Sequence, residues 1–235
     1  MSILSVYNLC KSFKDHNNII NAVSNVSFDV EYGEMVAIIG PSGSGKTTLL
    51  NLIGVVLMPD SGEIYIEGKL VNEMTDKQCC QIRNKYFGYI VQDFALIEDE
   101  TAMKNILVPT LYSEKKRKYG DYKEDIYEMA TRLHIKDKLN TVVNKLSGGE
   151  RQRIAVIRSL ICNQSIILAD EPTGSLDKEN SQLVIDFLKE KTRTGNHSII
   201  IVTHDLNVAR QCDRVIQINR GKLEEITESF LNKLG

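Results

Sequence analysis

The sequence has no excess of charge of either sign. Its 235 residues carry 29 Lys and Arg against 31 Asp and Glu, for a formal net charge of −2. A whole-protein electrostatic grip on nucleic acid is therefore not expected, and no nucleic-acid partner is assigned. Long hydrophobic runs are also missing. The apolar stretches Met35–Ile39, Ile166–Ala169 and Ile199–Val202 fall far short of the roughly 20 residues a membrane-crossing helix needs. The N-terminus, MSILSVYNLCKSF, has no long apolar region followed by a cleavage site. Residence in the cytoplasm is expected, and any membrane role would come through a partner. The five cysteines, at 10, 79, 80, 162 and 212, are odd in number and lack metal-site spacing. They exclude a disulfide framework and read as inert thiols in a reducing compartment. There is no internal repeat and no low-complexity linker.

What is present is a core and an alternation. Hydrophobic residues make up 42% of the chain, enough for one large domain, here taken as 1–235. Ser2–Leu9 and Val23–Val30 read as short strands. A turn at Glu31–Glu34 leads to the apolar strand Met35–Ile39. Pro59–Gly62 is a turn before a strand at Glu63–Ile66, which suggests a small β layer beside the main body. Phe87–Gln92 is a further strand. Beyond it the composition changes. Leu111–Glu128 is rich in lysine, acids and tyrosine, and Ile126, Met129, Ala130 and Leu133 recur at helical spacing, so 95–145 reads as a mostly helical subdomain. The basic run Glu114–Lys118 reads as a solvated helix surface, and Tyr112, Tyr119, Tyr122 and Tyr127 as packing anchors. Helices are then expected from Ser147–Gly149 to Leu160, at Lys178–Lys191 and at Leu206–Gln211. They alternate with strands at Ile166–Ala169, Ser198–Val202 and Arg214–Asn219. A turn at Arg220–Gly221 leads to a C-terminal helix. Short apolar strands alternating with helices indicate an α/β fold with a mainly parallel sheet covered on both faces.

The chemistry concentrates at the strand ends. Gly40-Pro41-Ser42-Gly43-Ser44-Gly45-Lys46-Thr47 fits GxxxxGK[ST] throughout, between an apolar strand and a helix that begins at Thr48. Its glycines let backbone N–H groups turn toward anionic oxygens, and the helix adds its positive end. Lys46 is expected on the β- and γ-phosphates of ATP, and the Thr47 hydroxyl on Mg²⁺. Asp170 and Glu171 end a second apolar strand, where ligands of parallel sheets collect. Asp170 is placed to hold Mg²⁺ through water, and Glu171 to polarise the attacking water. His204 follows a third strand, where an imidazole can donate to a γ-phosphate as charge develops. Gln92 ends the Phe87–Gln92 strand, and its amide oxygen can face Mg²⁺ or water. Leu146-Ser147-Gly148-Gly149-Glu150 looks like a second phosphate-binding turn. It is also a capping box, with Glu150 reciprocating Ser147, and both roles are compatible. One nucleotide does not need two cradles, so a homodimer formed on ATP binding is expected, each Ser147–Gly149 turn closing the other chain's site.

These motifs, in this order, make the chain resemble the ATP-binding cassette (ABC) ATPases from about Ser2 to Glu225. GPSGSGKT is similar to their Walker A motif, LSGGE at 146–150 to the signature, and IILADE at 166–171 to Walker B. Gln92 falls at the Q-loop, Ser175-Leu176-Asp177 at the D-loop and His204 at the H-loop. The resemblance implies a P-loop NTPase fold with a RecA-like parallel core, a small antiparallel β subdomain and a helical subdomain. It implies an aromatic stacked on adenine, for which Phe13 is the first candidate and Tyr7 the second. It further implies that Gln92 couples the site to membrane helices, that Ser147, Gly148 and Gly149 contact the γ-phosphate across a dimer, that Glu171 is the catalytic carboxylate, that His204 senses the γ-phosphate and that Asp177 helps join the two sites.

The signature ends in Glu150 where glutamine is commoner in the family. Ala169 with EPTGSLD after it resembles the branch serving lipoprotein release, macrolide or peptide export, and cell division. Little sequence follows Glu225, so a regulatory domain of the kind found in sugar importers is not expected. The implied role is the ATP-hydrolysing subunit of a transporter. It would lie peripherally on the inner face of the membrane and drive a separate permease docked on 95–145, for export. Mechanical signalling through a membrane partner is the alternative. A soluble role in translation or DNA repair fits less well, because each motif occurs once.

Overall fold

A computed structural model describes residues 1–15, 18–113, 117–194 and 197–226. Its centre is a sheet in the order β10-β9-β3-β8-β7-β6. The strands are β3 (Met35–Ile39), β6 (Phe87–Ile90), β7 (Ile166–Asp170), β8 (Ser198–Val202), β9 (Arg214–Asn219) and β10 (Lys222–Glu225). All neighbours run parallel except β10, which is antiparallel to β9. Strands β3, β7 and β8 are buried at every residue. Covered strands need no polar face, which is why their sequences are apolar runs rather than alternations.

The two-residue period of a strand sends successive side chains to opposite faces, and each face has its own core. Val36, Ile38, Ile166, Leu168, Ile200 and Val202 pack with Leu49, Leu52 and Ile53 of helix α1 (Lys46–Ile53), and with Leu4, Val6, Val26 and Ile64. The last four belong to an antiparallel sheet in the order β2-β1-β4-β5, formed by β1 (Ser2–Asp15), β2 (Asn18–Glu31), β4 (Ser61–Ile66) and β5 (Lys69–Leu70). On the opposite face Met35, Ile167, Ala169, Ile199 and Ile201 pack against helices. These are α3 (Ala102–Leu107), α4 (Tyr119–Arg132), α5 (Gly148–Leu160) and α6 (Lys178–Arg193). The short helices α2 (Asp76–Tyr86) and α7 (Leu206–Ala209) complete the set. At roughly 25 cal/mol per Å² of apolar surface removed from water, these two interlocked faces are the dominant favourable contribution to folding.

The expected small β layer is thus a four-stranded sheet. The expected helical stretch at 95–145 holds α3 and α4, where Ile126, Met129, Ala130 and Leu133 are buried and share one core with α5 and the central sheet.

Several expectations need correction. The N-terminal strands are longer than expected and form one hairpin. Strand β6 ends at Ile90, so Gln92 lies in the turn beyond it rather than in the strand. Helix α7 stops at Ala209. Residues 222–225 pair with β9 instead of starting a helix, because an unpaired β9 edge would leave backbone groups without partners; the C-terminal helix from 227 lies outside the described residues. Tyr122 is buried, whereas Tyr112 and Tyr119 are 73% and 60% exposed and lie at the surface rather than in the core. Of the basic run, Glu114–Lys116 lie outside the described residues, and Arg117 pairs with Asp125 at 2.6 Å and stacks on Tyr122. All five cysteines are free, and no helix among the described residues is long and apolar enough to cross a membrane.

Candidate active site

A cleft of about 540 Å³ opens at the C-terminal ends of β3, β7 and β8. Ser42–Thr48 forms its floor, with Asp170, Glu171, Gln92 and His204 on one side and Phe13 on another. Ser42–Thr48, Asp170, Glu171 and His204 meet here because parallel strands deliver their following loops to one edge, whereas Phe13 comes from β1 of the antiparallel sheet.

The floor is shaped by glycine. Gly45 has φ 104°, and a Cβ there would lie 2.0 Å from the Ala22 carbonyl oxygen. Only glycine allows both that backbone conformation and that approach. As the residue before α1, Gly45 provides no side-chain cap, and the first turn of α1 holds no acid. The positive helix end is left to whatever enters the cleft. Lys46 Nζ donates to the carbonyl oxygens of Gly40 and Pro41, both at 2.9 Å, so Gly40 and Pro41 hold the lysine rather than line the cleft. Ser44 Oγ is buried and, among the described residues, has no hydrogen-bond partner. A free donor, a turned-back ammonium and an uncapped helix together fit an anion such as a polyphosphate.

Thr47 Oγ1 donates to Asp170 Oδ2 at 2.9 Å. Burial raises the Asp170 carboxyl above its ordinary range, the Thr47 bond offsets part of that, and the neighbouring charge of Glu171 adds to it. A cation beside Asp170 would reverse this by favouring the ionised form. Thr47, Asp170 and Gln92 supply oxygens only, the donor set of a hard divalent ion such as Mg²⁺. Among the described residues no group of three or more acidic, His or Cys side chains could hold a metal, so the remaining oxygens would have to come from a ligand or from water.

Glu171 sits in the left-handed region at φ 48°, an uncommon conformation held because its N–H bonds Val202 O at 2.9 Å. That conformation aims the carboxylate at the β8 end. There it accepts from Thr203 Oγ1 at 3.1 Å and from His204 N at 3.1 Å, and lies 2.7 Å from His204 Nδ1. Glu171 and His204 are therefore direct partners. Asp205, next along, caps α7 through Asn207 N.

Phe13 lines the cleft, while Tyr7 packs edge-on against Tyr65 with ring centroids 5.9 Å apart. Ser147–Glu150 is not among the residues that line it. That turn has the full capping box: Ser147 Oγ accepts from Glu150 N, and the Glu150 carboxylate accepts from Ser147 N. Burial would raise the Glu150 carboxyl, but the Ser147 N–H and hydroxyl and nearby Lys138 hold it below its ordinary range. Gly148 and Gly149 face Ser175 and Leu176, so the turn rests on the loop that leaves Glu171. The sequence reading does not include Ile20, Asn21, Ala22, Arg220 and Gly221, which complete the cleft rim. Ile20 stands opposite Phe13 across the β1–β2 hairpin, a pairing that only the strand register reveals. The Arg220–Gly221 turn is legible in sequence; its place over the phosphate loop is not.

Residues 23–174 match the family model described as ABC transporter. A macrolide export ATP-binding/permease protein, MacB, of Shewanella sp. (strain W3-18-1) is 39% identical over 220 residues, 94% of this chain and 34% of that protein. The chain thus spans about a third of the length of such relatives. The ABC transporter ATP-binding protein MJ0796 of Methanocaldococcus jannaschii is 36% identical over 224 residues, 94% of this chain and 95% of that protein. Two solved structures of MJ0796 superpose with a TM-score of 0.89, each covering 95% of this chain and 99% of the solved one. One, at 35% identity, is a dimeric ABC transporter cassette. The other, at 34% identity, is a dimeric post-hydrolysis state bound to ADP and Pi.

Proposed function

This chain belongs to the ABC transporter family, as an ATPase cassette, and from that premise we propose that it hydrolyses ATP in the cleft above Ser42–Thr48 to drive a membrane permease, in export. The observation that carries the reading is the convergence in one cleft of an uncapped glycine-loop helix, the Thr47–Asp170 contact and the Glu171–His204 pair.

The residues divide the work. Lys46 exchanges the Gly40 and Pro41 carbonyls for phosphate oxygens, and the Ser42–Thr48 backbone and hydroxyls surround the rest. Phe13 offers its face to the base. Thr47, Asp170 and Gln92 would hold a Mg²⁺ ion, which would supply neutralisation of phosphate charge. Glu171 takes the proton of the attacking water, and His204 turns from Glu171 to donate toward the terminal phosphate.

Ser147–Gly149 serves a second copy of the chain. Its absence from its own chain's cleft supports that, as does the dimeric state of the MJ0796 cassettes. The permease is assigned to the apolar groove of about 690 Å³ beside the Gln92 turn, lined among others by Tyr89, Val91, Val108, Pro109 and the exposed Tyr112. A segment seated there would feel any movement of Gln92, which is how the site and the membrane partner would be coupled. Export rests on the MacB relatives, described as macrolide export proteins. The helical stretch at 95–145 contributes the docking side of the groove. The membrane's inner face is the proposed location, by way of that permease.

The test is ATP turnover by purified protein with Mg²⁺. Lys46→Ala is expected to lower ATP affinity or turnover at least tenfold, equivalent to about 1.4 kcal/mol, with an unchanged melting temperature. Wild-type turnover in that variant would remove the assignment.

A further inference from the structure

The β9–β10 hairpin carries a residue that its own geometry disfavours. Asn219 stands opposite Lys222, so the loop is the pair Arg220–Gly221, at φ 48° and 77°. A two-residue turn with both φ values positive suits Asn-Gly or Gly-Gly. Arginine has a Cβ that clashes in this conformation and no short polar group to compensate for it. The turn is also pinned in place. Gly221 N donates to Ser44 O at 3.2 Å, Ser24 N donates to Gly221 O at 2.8 Å, and a Cβ on Gly221 would lie 3.0 Å from Asn21 O. The hairpin is thereby tied both to the glycine loop and to the strand behind Phe13.

Arg220 lines the cleft and, among the described residues, has no hydrogen-bond or ion-pair partner. Other arginines contrast with it: Arg83, Arg132, Arg151, Arg153 and Arg158 each donate to a protein oxygen. A strained, pinned, unpartnered guanidinium at the rim of a cleft is a local conflict of the kind that marks a binding site. Guanidinium only donates, and it favours anionic oxygens. Lys46 belongs to the glycine loop itself, whereas Arg220 sits on the turn whose Gly221 touches both Ser44 of that loop and Asn21 and Ala22 of the strand that carries Ile20.

We propose that Arg220 is a nucleotide-binding residue, donating to the anionic phosphate oxygens on the base side of the site. The role rests on the reading of this cleft as the ATP site. ATP and ADP both carry those oxygens, so Arg220 adds affinity for both and does not distinguish them.

Glycine is at home at φ 48°, so Arg220→Gly removes the guanidinium while relieving the turn. Isothermal titration with ATP and with ADP, with Mg²⁺, would compare wild type, Arg220→Gly and Arg220→Lys. Arg220→Gly is expected to weaken both nucleotides about three- to tenfold, the scale of an exposed charge-assisted contact. The loss is expected to shrink when salt is raised from about 50 to about 300 mM, as screening requires. Melting without nucleotide is expected to stay level or rise, and Arg220→Lys to keep most of the affinity. Wild-type affinity in Arg220→Gly would overturn the proposal, as would an affinity loss that follows a lowered melting temperature or that affects ATP alone. Failure of the wild-type protein to bind either nucleotide would overturn the cleft reading itself, and the Arg220 role with it.

Discussion

Two glycine turns in this chain each start a helix, and their helix ends are finished in opposite ways. The Gly40–Thr47 turn leaves α1 without a side-chain cap, without an acid in its first turn and with Ser44 Oγ unpartnered among the described residues. The Leu146–Glu150 turn closes α5 with a reciprocal capping box and an acid whose charge is met by Lys138 at 3.4 Å. Orphan N–H groups at a helix end need partners. The first turn stores that need for a ligand. The second has met much of it locally, through its own capping box. On the proposed reading the first turn would be the primary anion site, and the second a preformed lid for a nucleotide held by another copy of the chain.

The difference can be broken from the second turn. Ser147→Arg is expected to lower turnover at least tenfold, equivalent to about 1.4 kcal/mol, with ATP affinity of the monomer within about twofold of wild type. Titration of the monomer beside steady-state turnover checks it, and equal loss in both would make Ser147 a support of the local fold. Glu150→Ala is a milder break. Removing one half of the capping box is expected to reduce stability by about 1 kcal/mol, read as a lower urea midpoint, while the P-loop keeps its affinity for ATP.

The smallest effect concerns how Phe13 is presented. Asp60 accepts from Lys11 Nζ and from the N–H and hydroxyl of Ser12, just before Phe13. The Lys11 hydrogen bond, followed by those from Ser12, lowers the Asp60 carboxyl from 3.8 to about 2. A depressed carboxylate stabilises the fold above its unfolded value and loses that contribution as pH falls through the folded one. Urea midpoints from pH 5 downward are expected to show an acid-side loss between about pH 4 and pH 2 that is shallower in Asp60→Asn. Identical slopes would remove Asp60 from this role.

Much of this was legible because the motifs are local. Strand, glycine loop and helix are contiguous at 35–53 and fix the floor of the cleft by themselves. The parallel order of β3, β7 and β8 then brings Asp170, Glu171 and His204 to it. What was not legible depends on register. Tyr7 and Phe13 are six residues apart, and strict alternation would put them on one face. Register shifts between Val6 and Leu9, and again up to Ser12, break the period, so Phe13 reaches the cleft and Tyr7 packs on Tyr65. Tyr112 and Tyr119 are tyrosines at a surface, which composition cannot distinguish from tyrosines in a core. The fate of residues 222–225 was decided by the open edge of β9, a tertiary fact.

Glu171→Gln carries the most direct test of the shared-site account. The substitution keeps the shape of the side chain but removes its basic charge, so the chemical step is expected to slow about 10²–10⁴-fold while ATP still binds. Two gripped nucleotides that are not consumed would hold two chains together by mass action. Sedimentation velocity of Glu171→Gln at several concentrations, alone and with the proposed permease partner, is the measurement. The account predicts monomer without nucleotide, dimer with ATP and monomer with ADP; a variant that binds ATP tightly yet stays monomeric in both settings at tens of micromolar would contradict it.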